Sequence, residues 1–270
     1  MELIDTHCHI QSADRRAKED FTREKWLKID DVSVNMLVDN ATSVGVKKLI
    51  CVGCDVADSE LAVEVANEKD ELYASIGIHP HEAKRYVADT KRLADFANLA
   101  QKDKVIAVGE CGLDYFYNHS PKADQIKILE FQLDLAQKNN LPVIFHVREA
   151  YDDFWPVFAN FKGFRGVLHS YTDNQANLDK ALSEGLYIGV NGIATFTKDT
   201  SQLEVYKNIP HERLLLETDA PYLTPTPFRG NICQPKHMVS TADFLGRLYE
   251  CEPNYIATVT TQNAKELFGI

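Results

Sequence analysis

Lys104-Val105-Ile106-Ala107-Val108-Gly109-Glu110 is a short apolar run, rich in β-branched residues, that stops on a carboxylate. Apolar residues follow one another without polar alternation, the pattern of a parallel strand buried on both faces. A helix is expected from about Pro121 to Asn139, with Ser120 as N-cap and Pro121 as its first residue. The same strand-then-helix unit recurs on both sides. Upstream, Glu2–Ile10, Lys48–Gly53 and Leu72–His79 read as strands, with helices at Ser33–Val44, Ala57–Lys69 and Thr90–Gln101. Downstream, the strands are Pro142–Arg148, Gly166–Ser170, Leu186–Val190 and Arg213–Asp219. The helices between and after them are Ala150–Phe161 (disturbed by Pro156), one capped by Asp173 or Asn174 and running to about Glu184, Ser201–Asn208, His237–Tyr249 and Tyr255–Leu267. Asp14–Asp31 is polar and reads as a solvated surface segment, with one helical turn around Trp26. Eight strands, each followed by a helix, in 270 residues predict the α/β class and a (β/α)8 TIM barrel, with residues 1–270 as a single domain. An open doubly wound sheet is the alternative, but the chain has no GxGxxG turn.

Composition narrows the partners. The chain carries 29 Lys+Arg against 40 Asp+Glu, a net charge of −11. Bulk charge therefore excludes wrapping of duplex nucleic acid. A nucleic acid could still enter by an end or a short single strand, with metal ions countering phosphate charge locally. No run of about 20 apolar residues is present to span a membrane, and no signal peptide is evident. Cys8, Cys51, Cys54, Cys111, Cys233 and Cys251 are scattered through a chain large enough to bury a core, so no disulfide framework is expected. The Cys51–Cys54 CxxC has no second CxxC to complete a zinc site. A cytoplasmic protein is expected, with no obligate protein partner.

The ends of the strands carry the chemistry. His7 and His9 lie two residues apart, so they share one strand face, while Cys8 points to the other. Four further strands end in Glu110, His146, His169 and Asp219. In a (β/α)8 barrel the C-terminal strand ends meet on the rim that carries the active site. Four histidines and two carboxylates exceed the needs of one four-coordinate ion with an open position. They suit two divalent ions about 3.5–4 Å apart that share a carboxylate. Glu110 is the expected bridge, with His7, His9 and Asp219 on one ion and His146 and His169 on the other. Asp219 is expected to take the proton of the metal-bound water. Mixed imidazole and carboxylate ligands admit Zn, Mn or Mg.

The motifs Ile-Asp-Thr-His-Cys-His (4–9), Gly-Ile-His-Pro-His (77–81), Val-Gly-Glu-Cys-Gly-Leu-Asp-Tyr (108–115), Pro-Val-Ile-Phe-His-Val-Arg (142–148), Leu-His-Ser-Tyr (168–171), Leu-Leu-Glu-Thr-Asp-Ala-Pro-Tyr-Leu (215–223) and Pro-Phe-Arg-Gly (227–230) resemble the TatD family of metal-dependent deoxyribonucleases. The resemblance runs from His7 to Asn263–Phe268. It implies a TIM barrel, two divalent metals and phosphodiester hydrolysis, often 3′→5′ exonucleolytic on DNA. It carries metal binding onto His7, His9, Glu110, His146, His169 and Asp219. The chain departs from the family pattern at Ser170–Asn174 and at Asn231–Pro235, both in loops where substrate preference is set.

His79, Arg148 and Arg229 are the candidate substrate contacts: His79 toward a scissile phosphate, the two guanidinium groups toward phosphate oxygens. Tyr115, Phe116 and Tyr222 are candidates for stacking on a base. Asp114 is expected to orient its own loop, and His81 to be a surface residue. The predicted function is a metal-dependent hydrolase cleaving phosphodiester bonds of DNA ends or short single strands. The alternative is a two-metal hydrolase of an amide or an aminoacyl ester on RNA. Many amide hydrolases of this kind bridge their metals with a carboxylated lysine at the fourth strand. Glu110 stands there instead, which favours the phosphodiesterase.

Overall fold

A computed structural model describes residues 2–161 and 163–270. The eight strands are β1 (Leu3–Cys8), β2 (Val46–Val52), β3 (Leu72–Ile76), β4 (Val105–Asp114), β5 (Val143–Arg148), β6 (Gly166–Leu168), β7 (Tyr187–Val190) and β8 (Leu214–Leu216). They follow chain order in one sheet, β1 to β8. The strands whose register is resolved pair in parallel. This is the strand order of a (β/α)8 barrel, as the alternating apolar runs predict. The chain partitions into two compact units, one of Met1–Cys51 with Ser170–Ile270 and the other of Val52–His169.

In the first unit β1 is the central strand. All six of its residues are buried, the polar Asp5, Thr6 and His7 among them. Thr6 Oγ1 donates to Leu216 O at 2.9 Å, and β1 continues into a parallel bridge between Cys8 and Ala220. The helix Val34–Ser43 begins where Ser33 accepts the Met36 amide. Gln175–Ser183 begins where Asn174 accepts that of Asn177. Each cap satisfies an amide that the first turn leaves without an intrahelical partner.

The second unit holds β3 to β6. Helix Lys122–Asn139 braces it through two buried glutamines. Gln132 clamps Ile78, accepting its N–H at 2.7 Å and donating to its carbonyl at 3.0 Å. Gln125 does the same for Asp114, at 2.8 and 3.1 Å. A side-chain amide that meets both groups of one residue imitates a neighbouring strand. In this way Gln132 holds Ile78 just past the end of β3, and Gln125 holds the last residue of β4.

Three sequence expectations change. Ser120 does not cap the long helix: Pro121 is the N-cap and no side chain bonds there. The Ser120 hydroxyl is used elsewhere, donating to His81 O at 2.7 Å and accepting from Lys84 N at 3.1 Å. The fourth strand runs four residues past Glu110, to Asp114. The segment 14–31 is not simply solvated. It contains a helix, Phe21–Trp26, capped by Asp20. Trp26 is fully buried, and its indole N–H donates to His9 O at 2.9 Å. One large apolar ring, with a polar handle for a strand-end carbonyl, outweighs the surrounding charge. Trp26→Ala should therefore cost about 3–5 kcal/mol, read as a lowered midpoint in urea unfolding. A loss below about 1 kcal/mol would contradict this anchoring.

Candidate active site

In the first unit Asp219 sits just past β8, within reach of both first-strand histidines. Its Oδ1 lies 3.7 Å from His7 Nε2 and 3.3 Å from His9 Nε2. Backbone pairing sets these distances: Asp219 N donates to His7 O at 2.8 Å and His9 N to Ala220 O at 2.8 Å. Asp219 itself is left-handed, with φ 57°, a conformation that Asp and Asn tolerate better than other non-glycine residues. Behind the histidines lies Asp5, fully buried. Its Oδ1 accepts from Thr218 N at 3.0 Å and His7 N at 3.3 Å, and its Oδ2 accepts from Thr218 Oγ1 at 2.6 Å. Burial pushes its carboxyl up to about 8 against the pull of those bonds. Cys8 faces away, its thiol donating to Ile50 O at 3.4 Å, and burial pushes that thiol well up. It is a packing residue, as the strand alternation predicts.

In the second unit Glu110 is the hub. Its Oε1 lies 2.7 Å from His146 Nδ1, 3.5 Å from His169 Nε2 and 3.6 Å from His79 Nε2. Cys54 Sγ approaches Oε2 at 3.7 Å. The close packing of strands here demands glycine. A Cβ on Gly112 would lie 1.8 Å from His146 O, and one on Gly77 would lie 2.3 Å from Glu110 N.

Asp114 does more than orient its loop. Its Oδ1 accepts from Tyr117 N at 2.9 Å, as expected. Its Oδ2 meets His146 Nε2 at 3.0 Å and His81 Nε2 at 3.1 Å. Burial alone would raise the Asp114 carboxyl, but the hydrogen bonds from His146 and His81 hold it well below the usual carboxylate range. An ionised carboxylate only accepts, so both Nε2 atoms carry protons and His146 presents Nδ1 to Glu110. Burial lowers His146, yet its bonds to Asp114 and Glu110 prevail and lift it to about 9. His79 goes the other way, held well below its ordinary value by burial.

The donor set fits divalent metals. Ligand atoms about 2.1 Å from a common ion stand roughly 3–3.5 Å apart, close to the His9–Asp219 and His169–Glu110 spacings of 3.3 and 3.5 Å. His79, Glu110 and His146 offer a further three-ligand group. Thus His7, His9 and Asp219 come together in one unit, and Glu110, His146 and His169 in the other, joined by His79. Arg148 is exposed and lies over the Phe116 ring at 4.0 Å and the Tyr117 ring at 4.9 Å. Arg229 lies 3.7 Å over Phe196 and donates to Thr224 O at 2.8 Å. The sequence reading missed the ties of His81 and His146 to Asp114. It also missed Glu217, buried and accepting from Ser170 N at 2.7 Å.

Fold and donor set define a (β/α)8 hydrolase of the metal-dependent class. The chain belongs to the family described as TatD related DNase, whose model matches residues 4–269. It is similar to YabD of Bacillus subtilis, a metal-dependent hydrolase (33% identity, 99% of each chain). It is also similar to a protein of Edwardsiella piscicida named 3′-5′ ssDNA/RNA exonuclease TatD (36% identity, 88% of this chain and 94% of that one). Among solved structures, the TatD homologue YjjV of Escherichia coli K12 superposes with a TM-score of 0.85 at 26% identity, covering 99% of this chain and 98% of the other. All six cysteines are free thiols. No described helix is long and apolar enough to cross a membrane.

A metal ion held by the Glu110 cluster through His146 would have to displace a proton from that ring, whose affinity for it is raised to about 9. Apparent metal affinity should therefore rise roughly tenfold per pH unit between pH 6 and 8. Titration calorimetry with Mn2+ in two buffers of different ionisation enthalpy should record that proton. Affinity independent of pH would contradict the His146 assignment.

Proposed function

We propose that the chain is a two-metal phosphodiesterase that hydrolyses nucleic acid from an end or along a short single strand. His7, His9 and Asp219 hold one divalent ion; Glu110, His146 and His169 hold the other. The observation that carries the reading is the pair of histidine–carboxylate clusters. Each is built at the C-terminal ends of parallel strands, where barrel enzymes place their chemistry. The similarity to a protein named as a 3′-5′ exonuclease supports a nucleic-acid substrate over an amide, as does the carboxylate at position 110 in place of a lysine. The ions would lower the pKa of a bound water and polarise the phosphoryl oxygen.

The chain's own residues do the rest. Asp219, half in contact with His7 and His9, takes the water's proton. Glu110 orients the imidazoles of His146 and His169. Asp114 holds the His146 ring from behind, the outer-shell support that fixes ring angle and tautomer. His79, kept neutral by burial, contacts the scissile phosphate as a hydrogen-bond donor without adding charge. Arg148 and Arg229 offer guanidinium groups to flanking phosphates.

Glu110→Ala and Asp219→Ala should each lower hydrolysis of single-stranded DNA by on the order of 10³-fold while circular dichroism stays native. EDTA should inactivate the protein, and added Mn2+ or Mg2+ should restore it. Hydrolysis that survives complete metal removal would overturn the reading. Cleavage of an aminoacyl ester but no nucleic acid would replace the substrate class.

A further inference from the structure

The first unit carries a groove of about 880 Å³ lined by Lys28, Phe228, Asn231, Gln234, Lys236 and His237, among others. Its lining runs against the composition of the chain. Acids outnumber bases 40 to 29 overall, yet among the described residues the groove is lined by two lysines and no Asp or Glu. Its lining includes an aromatic pair. The Phe228 ring lies on the His237 ring at 4.6 Å with only 15° between planes, and Phe228 remains 40% exposed. The His237 ring is neutral: its Nδ1 accepts from Gln234 N at 3.1 Å, and burial, followed by the Lys236 charge, lowers it to about 4. The upper ring therefore rests on an uncharged support and offers its outer face.

A second platform of the same kind lies beside the metal ligands. Tyr222 stands edge-on to His9 at 6.4 Å and stacks on Phe21 at 6.2 Å and 17°. Phe21 is 65% exposed. Lys25 Nζ sits over both rings, at 5.1 and 5.3 Å. Lys25 and Lys28 lie three residues apart, in and just past the helix Phe21–Trp26, and so connect this platform to the groove along the chain. Exposed rings that stack on any base, interleaved with lysines that meet phosphates, are the elements of sequence-tolerant single-strand binding.

We propose that the Phe21–Tyr222 pair and the Phe228–His237 groove form a track for single-stranded nucleic acid, leading away from His9. Bases stack on Phe21 and Phe228, and Lys25, Lys28 and Lys236 hold the phosphates. The occupant is the part of the substrate strand that is not being cut. The inference rests on the phosphodiesterase reading and adds that nucleotides remote from the scissile bond are bound by this unit.

The test measures binding of the metal-loaded full chain to fluorescein-labelled phosphorothioate oligothymidylates, which resist cleavage, by fluorescence anisotropy. Affinity for a 12-mer should exceed that for a 3-mer at least tenfold. Phe228→Ala, and separately the Lys28→Ala/Lys236→Ala pair, should shrink that ratio toward one. The lysine pair should also reduce the salt dependence by about 1.4 in log–log slope, at about 0.7 per phosphate contact on a single strand. Circular dichroism reports whether each variant folds, and Phe228→Leu, which keeps apolar bulk without a ring face, provides a second probe. A ratio unchanged in all variants would overturn the track. So would equal binding of a 12-base-pair duplex. Hydrolysis of bis(p-nitrophenyl) phosphate tests the underlying reading on its own. Turnover without length-dependent binding sinks only the track, and length-dependent binding without turnover sinks only the nuclease.

Discussion

The buried carboxyl of Asp5 is the constraint on which the histidine–carboxylate cluster of the first unit depends. It receives two backbone amides and a hydroxyl, from His7 and from both ends of Thr218. Those bonds lock β1 to the chain leaving β8, the two segments that bring His7, His9 and Asp219 within 3.3–3.7 Å. Three donors buried without that acceptor would each cost about 1–3 kcal/mol. The cost of keeping an acid where no water reaches is visible in its raised carboxyl. A neutral residue would be cheaper to bury, but no apolar one could meet three donors from two strands.

The cluster of the second unit follows a different logic. There the positions are set by glycine rather than by a buried acid: without side chains at Gly77 and Gly112, β4 comes close enough for Glu110 to collect three imidazoles. Asp114, four residues further along the same strand, then fixes His146 and His81 with one oxygen. Glu110 and Asp114 take opposite nitrogens of one ring, so the His146 imidazole has little freedom to turn. Outer-shell carboxylates give this kind of rigidity to imidazoles in metal centres.

The barrel was legible because its strands are unbroken apolar runs, and the two histidine–carboxylate clusters because residues of those types interrupt the runs only at their exits. Asp114 was legible in part. Its reach to Tyr117 is local, whereas its bonds to His81 and His146 link positions 33 and 32 residues away, beyond any periodic signal. Trp26 was misread because its neighbours are charged and composition dominates a local window; its partner, the His9 carbonyl, is a tertiary fact. Ser120 was misread because a serine before a proline satisfies the capping rule, while His81 and Lys84, 39 and 36 residues away, take its hydroxyl. The groove was illegible for a related reason. Lys28 and Lys236 are surface charges in the sequence, and they acquire a shared meaning only when Phe228 is found lying on His237.

The left-handed backbone at Asp219 bears on how this protein can change over evolutionary time. At φ 57° most side chains pay about 1–2 kcal/mol, with glycine, asparagine and aspartate the usual exceptions. Glutamate would preserve the charge and lose the conformation; asparagine would preserve the conformation and lose the charge. On the proposed mechanism this one position has to satisfy a steric demand and a chemical one, and only aspartate meets both. Drift that spares the fold leads to asparagine or glycine, either of which leaves a sound barrel without its acid. If Asp219 takes the proton as proposed, a descendant that had given up catalysis for binding would be recognised most simply by its residue at this one turn.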